Sequence, residues 1–171
     1  MPQIVEYEQV LETLATQGLE PAYPNGGAFH VPNGRIVGYI NGEDASIRPG
    51  LDVRRTHDLT GRLLDLWQRV GGRLWLTPAH HWAHELHHGG NGQAVLDAAG
   101  LTLGLPDNLA HAVEFDDADT FRPVLTVLFV ESDWHATFPD AATPATAMLH
   151  HHGQLWITTN EPRSDHSTTR R

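Results

Sequence analysis

The chain of 171 residues contains no cysteine. That excludes disulfides, thiol nucleophiles, cysteine-ligated zinc and iron–sulfur clusters. Lysine is absent as well, so all 11 basic residues are arginine. Without lysine there is no P-loop lysine to reach a nucleotide's phosphates, and no Schiff base to a carbonyl or to pyridoxal phosphate. No nucleotide, pyridoxal phosphate or iron–sulfur cofactor is therefore expected. Arginine in place of every lysine is the usage of a GC-rich bacterial genome. Positive charge is scarce too: the net charge is −10 with histidine neutral. Phosphate binding needs a basic face, so neither nucleic acid nor an anionic membrane is an expected partner. Long apolar runs are missing. The stretch from Val124 to Val130, broken by Thr126, is too short to span a bilayer. The start, "MPQIVEYEQV", lacks the basic and apolar regions of a secretory signal, which predicts a cytoplasmic protein.

What remains is globular in composition, with 40% hydrophobic and 19% charged residues. Its length suits one domain with a substantial core. We expect that domain over 1–160, followed by a mobile tail over 161–171, whose "EPRSDHSTTRR" offers nothing apolar to bury. Histidine is abundant: protonating all 13 would carry the net charge from −10 to +3. The chain must respond electrically to acid near pH 6.

Periodicity supplies a coarse fold. Ile4, Tyr7, Val10, Leu11 and Leu14 form one helical stripe, with Gly18 and Leu19 placed for a Schellman stop. Two Asn-Gly pairs, Asn33-Gly34 and Asn41-Gly42, separate apolar runs and predict type I′ turns. They imply a meander of three strands near 28–32, 35–40 and 43–48. Leu59, Leu63, Leu66, Trp67 and Val70 mark a second helix, ended by Gly71-Gly72. "RLWL" reads as a strand. Helices are expected over "QAVLDAAG" and "PDNLAHAVEF". The stretch 121–131 mixes strand-like and helical spacing, and we read it as helix behind an Asp119 cap. "TAMLHHHGQLWITTN" reads as a hairpin turning at His152-Gly153. Local hairpins interleaved with helices predict an α+β fold. Its antiparallel sheet would combine the N-terminal β-meander and the C-terminal β-hairpin, with helices packed on one face.

The chemistry of interest lies in "TPAHHWAHELHHGG", residues 77–90, where five histidines surround one glutamate. Thr77 as N-cap and Pro78 at the first helical position predict a helix over 78–88. On it Ala79, Trp82, Ala83 and Leu86 share the buried stripe, and His84 and His88 lie opposite. His84-Glu85-Leu86-His87-His88 matches the H-E-x-x-H pattern of zinc peptidases over five residues. His84 and His88, one turn apart, would present imidazoles to one zinc ion, and Glu85 would be the general base on its bound water. Glu114 is the candidate third ligand, with Asp107 and His111 also available. The extended zincin motif fails, because Asn91 and Ala94 stand where it requires glycine and a third histidine. The competing reading is the solvated side of an ordinary amphipathic helix.

Three functions are therefore open. The first is a non-enzymatic or regulatory protein binding a borderline transition metal such as zinc through outward histidines. The second is a zinc-dependent hydrolase using Glu85. The third is a metal-free interaction module on the sheet surface, with pH-sensitive histidines and a protein partner or a second copy of the chain. Asp133 and His135 lie near Ser132, but no nucleophile elbow or oxyanion hole accompanies them. Glu43 and Asp44 read as a solvated turn, and the five tryptophans as core and rim residues. In the C-terminal hairpin a two-residue turn would pair His150 with Leu155 and make it a core histidine.

Overall fold

The computed structural model describes residues 1–40, 53–87, 92–101, 107–125, 133–150 and 154–160, with the backbone alone at 37–40 and 53–56. Within these residues the chain runs β1 (Gln3–Val5), α1 (Tyr7–Thr16), β2 (Glu20–Pro21), β3 (Phe29–His30), β4 (Arg35–Ile40) and α2 (Val53–Val70). It continues with β5 (Leu74–Pro78), α3 (Trp82–His87), α4 (Gly92–Ala98), β6 (Ala112–Phe115), α5 (Ala118–Leu125), β7 (Trp134–Thr137), β8 (Ala145–His150) and β9 (Gln154–Thr159). The fold is α+β, as the sequence predicts. Seven strands form one antiparallel sheet in the order β1-β6-β5-β7-β8-β9-β4, and β2 pairs with β3 in a separate ribbon.

Alternation along the strands divides the sheet into two unlike faces. On one, Leu74, Leu76, Val113, Phe115, Ala147 and Leu149 meet the buried stripes of α2, α3, α4 and α5. Leu59 and Leu63 of α2, Trp82 of α3 and Phe121 of α5 are fully buried there. On the other face Val5, Trp75 and Ala112 meet Val10 and Leu14 of α1, together with Phe29 and Val31. Helices thus pack chiefly on one face, and α1 takes the other.

The caps explain several boundaries. Leu19 N–H donates to Leu14 O at 3.0 Å and Gly18 N–H to Ala15 O at 2.9 Å, with Gly18 at φ 75°. That is the expected Schellman stop, and buried Leu19 supplies its apolar contact. At α5 the cap is Asp117 rather than Asp119: its carboxylate accepts from Thr120 N–H at 2.7 Å and from the Thr120 hydroxyl. These bonds hold the Asp117 carboxyl below the usual range. The helix expected in 121–131 is present to Leu125, and 126–132 lie outside the described residues.

Other expectations are corrected. Ile4 and Val5 belong to strand β1, paired with β6, and not to the first helix. "AHAVEF" is not helical. Ala112 to Phe115 form a strand buried on both faces between β1 and β5. A short run with both faces buried shows no alternation, so its pattern does not separate strand from helix. The meander is also different. β3 pairs with β2, β4 pairs with β9, and β3 and β4 are not a hairpin. The turn between them runs from Val31 to Gly34, with Gly34 N–H on Val31 O at 2.8 Å and Asn33 at φ 57°. Pro32 then sits second and Asn33 third, the arrangement of a type II turn, which does not suit a hairpin. The third meander strand, Asn41-Gly42, Glu43, Asp44 and the tail lie outside the described residues.

Candidate functional site

The histidine segment begins with a strand. Leu74 to Pro78 are wholly buried and pair with β6 and β7, which outweighs the local helix-start signal. The Thr77 hydroxyl donates to Gly27 O and caps nothing. Pro78 closes β5 opposite Trp134. Helix α3 starts only at Trp82, and His81 is its cap: Nδ1 accepts from His84 N–H at 3.1 Å. His81 must therefore carry its proton on Nε2. Trp82 and Ala83 are buried as expected, and Leu86 packs against the core. Trp82 Nε1–H donates to His111 O at 2.8 Å, tying the helix to the segment before β6.

The proposed metal and catalytic groups are placed as follows. His84 is half-buried, and its ring centroid lies 4.8 Å from that of His80 and 6.0 Å from that of His81. Glu85 is buried, at 5% exposure, against Gly92 at the start of α4 rather than on a solvated face. His88 lies outside the described residues. Glu114 is in strand β6, on the face turned away from α3. Its carboxylate accepts from Trp75 Nε1–H at 2.7 Å, Arg73 Nη1 at 3.0 Å and Gln3 Nε2 at 2.6 Å. Arg73 also forks onto Asp140, and the two acids hold its guanidinium above its ordinary pKa. Glu114 is thus the anchor of a structural network joining β1, β5, β6 and the turn at Asp140. Asp107 and His111 bond each other at 2.9 Å, and His111 Nδ1 accepts from Tyr7 N–H at 3.0 Å. Among the described residues no three histidine, aspartate or glutamate side chains converge as a metal site would require.

A different site appears on the other face of the sheet. Beyond α1, the face of β7, β8 and β9 is roofed by the segment from Ala22 to Gly34, leaving a cleft of about 380 Å³. The floor is built by alternation: His135 from β7, Thr146 and Met148 from β8, Trp156 and Thr158 from β9. The strand neighbours of these residues, Trp134, Ala147, Leu149 and Leu155, point into the helix-covered core. The roof carries Tyr23, Phe29, His30 and Val31, and one end holds His80 and Asp133. Trp156 borders this space, while the other four tryptophans are buried.

Close backbone approach holds the roof in place. Gly27 N–H donates to His80 O at 3.0 Å and Ala28 N–H to Ala79 O at 3.2 Å. A Cβ on Gly27 would lie 2.3 Å from Pro78 O, so only glycine fits there. A side-chain bond completes the attachment: Phe29 N–H donates to His135 Nδ1 at 3.3 Å. His135 is buried, at 6% exposure. Burial pushes its pKa down to about 4, against a smaller opposing pull from Asp133. The ring is neutral at ordinary pH. With Nδ1 accepting, Nε2 carries the proton.

Two features link the cleft to the sequence's other histidines. A file of rings runs from the rim to α3: Tyr23 to His80 at 5.6 Å, then His80 to His84 at 4.8 Å. His150 is not the core residue expected. In the observed register His150 pairs with Gln154, Leu149 with Leu155 and Met148 with Trp156, one residue off the expected pairing. A one-residue change of register moves a strand's whole side-chain set to the other face. His150 thus shares the face of Met148, half-buried, with Nε2 4.0 Å from Asp133 Oδ2.

Sequence reasoning singled out neither Tyr23 nor Met148, and it gave His135 and Trp156 other roles. The available signal was the alternation itself: Thr146, Met148 and His150 against Ala145, Ala147 and Leu149, mirrored by Gln154, Trp156 and Thr158. Among the described residues no helix is long and apolar enough to cross a membrane. No known protein family, curated protein or solved structure matches the chain.

Proposed function

We propose that this protein is a metal-free, non-enzymatic binding domain that takes a small ligand in the cleft between the Ala22–Gly34 segment and the sheet. One observation carries the reading. Apart from Met1, the large apolar side chains exposed among the described residues are Tyr23 and Ile36, each 52% exposed. Tyr23 lines the cleft, and Ile36 pairs across the sheet with Thr158, which lines it too. Directly opposed residues project from the same face. The exposed apolar surface therefore gathers on one face, at a cleft whose apolar and aromatic walls are interspersed with histidine, threonine and aspartate and whose size suits a small-molecule site of 300–1,000 Å³. The histidines around it make binding sensitive to acid.

The test is a thermal-shift screen of small aromatic compounds on wild type and on Thr146→Phe, which fills the floor. Hits should raise the melting temperature of wild type in proportion to the logarithm of concentration, and leave a folded Thr146→Phe unmoved. Equal shifts in both proteins would refute the cleft as the site.

A second reading keeps α3 as a transition-metal site through His84 and His88, and the His80 ring 4.8 Å from that of His84 puts a further imidazole beside it. Imidazoles without thiolate suit zinc, nickel or copper(II). Elemental analysis of untagged protein, purified without a metal column, decides it. One equivalent of zinc that disappears in the His84→Ala/His88→Ala double variant would establish the site. Metal far below one equivalent would remove it.

A further inference from the structure

We propose that the cleft's ligand is a planar nitrogen heterocycle that bears an exocyclic amino group and no negative charge. The inference rests on the cleft being the binding site and adds the chemistry of its occupant. Its first support is His135. Phe29 N–H occupies Nδ1, which fixes the proton on Nε2. That N–H has no hydrogen-bond partner among the described residues, although the ring is more than nine-tenths buried and lines the cleft. A ligand acceptor in the cleft would pair with this N–H, whose place on the ring the Phe29 bond fixes. Because burial keeps the ring neutral, it offers a hydrogen bond rather than a charge.

The second support is charge. Among the described residues Asp133 is the carboxylate of the lining, and no arginine stands there. The chain has no lysine, and among the described residues no permanent cation lines the cleft to balance an anionic ligand. An anion would be repelled by the Asp133 carboxylate, whereas an amino group would donate to it. His150 Nε2 lies 4.0 Å from Asp133, outside the lining. The chain's charge of −10 also favours the approach of neutral or cationic ligands.

Spacing and shape complete the argument. Asp133 and His135 are two residues apart on one extended segment, roughly 6.5 Å along the strand. One bicyclic ring system spans that interval with an amino donor at one end and a ring acceptor at the other. The apolar walls, Phe29, Val31, Met148 and Trp156, suit a flat aromatic body.

The test is a nuclear magnetic resonance titration at about pH 8, where an ordinary histidine is neutral. The probes are 4-aminoquinazoline, quinazoline without the amino group, 1-naphthylamine without ring nitrogens, and anionic 1-naphthoate. 4-Aminoquinazoline should bind about tenfold more tightly than quinazoline or 1-naphthylamine, move the His135 Nε2 resonance and outcompete 1-naphthoate. In Asp133→Asn the advantage over quinazoline should shrink, with the 1-naphthylamine affinity falling in parallel. Probes that perturb the cleft with equal affinity, or with 1-naphthoate tightest, would overturn the ligand class and leave the cleft standing as the site. No perturbation of Trp156 or His135 by any probe would overturn both.

Discussion

The two faces of strands β7, β8 and β9 are made from the same residues in alternation, yet they differ in kind. On the helix-covered face Trp134, Ala136, Ala147, Leu149 and Leu155 are at most 1% exposed. On the other, Met148, His150, Gln154 and Trp156 are half-buried and border or adjoin a cleft. The closed face is filled by apolar side chains, with one buried polar atom, Trp134 Nε1, lacking a partner. The open face mixes aromatic surface with histidine, threonine and aspartate. Packing sets the first, and a concave, partly exposed surface sets the second. A ligand site needs this asymmetry, because the closed face supplies the rigidity that holds the open one in shape.

Neighbouring substitutions should separate the faces. Leu149→Ala, on the closed side, should cost about 3–4 kcal/mol by chemical denaturation, since a fully buried leucine leaves a cavity. Met148→Ala, one residue away on the open side, should cost less than about 1 kcal/mol and weaken ligand binding instead. Similar losses at the two positions would erase the distinction.

Acid should act next most strongly, through the open face. His135 is neutral in the fold, with its pKa lowered from 6.5 to about 4, and it titrates normally when unfolded. Between those values the unfolded chain binds the extra proton. The stabilisation is therefore complete above about pH 6.5 and is lost as pH falls toward 4, by roughly 3 kcal/mol in total. Denaturation midpoints measured across that window should fall with pH in wild type and fall less in His135→Asn. An unchanged slope in the variant would show that the ring does not titrate as the structure requires.

Gly27→Ala should cost about 1–3 kcal/mol, because the added Cβ must displace backbone at Pro78. It should also abolish binding in the cleft by lifting the roof. The smallest effect belongs to the far end of the closed side: Asp117→Ala should cost about 1 kcal/mol through loss of the α5 cap, with binding unaffected. Calorimetric unfolding combined with ligand titration checks both variants.

Much of the closed face is legible in the sequence. Leu59, Leu63, Leu66 and Trp67 keep helical spacing and are buried there, and on the opposite side of the sheet the Gly18-Leu19 stop of α1 also forms as its residues require. What fails to read is pairing. "AHAVEF" is a strand because β1 and β5 flank it, and their residues lie more than 100 and about 40 positions upstream, respectively. Thr77 and Pro78 resemble a helix start, but β6 and β7 hold them extended. The open face was hidden by a single residue of register: His150 pairs with Gln154 instead of Leu155, which moves it from the core to the cleft side. The H-E-x-x-H pattern was conspicuous for its residue types. Its environment, with Glu85 packed against Gly92 and Glu114 engaged on the far face, is set by tertiary contacts that spacing does not encode.

The most direct test of the account is a backbone and side-chain resonance map of the protein with a cocktail of small aromatic fragments. Saturable shifts confined to Trp156, His135, Met148, His80 and Tyr23 are the predicted result. Shifts centred elsewhere, or none at any of these five residues, would contradict the claim that the open face of the sheet is where this protein acts.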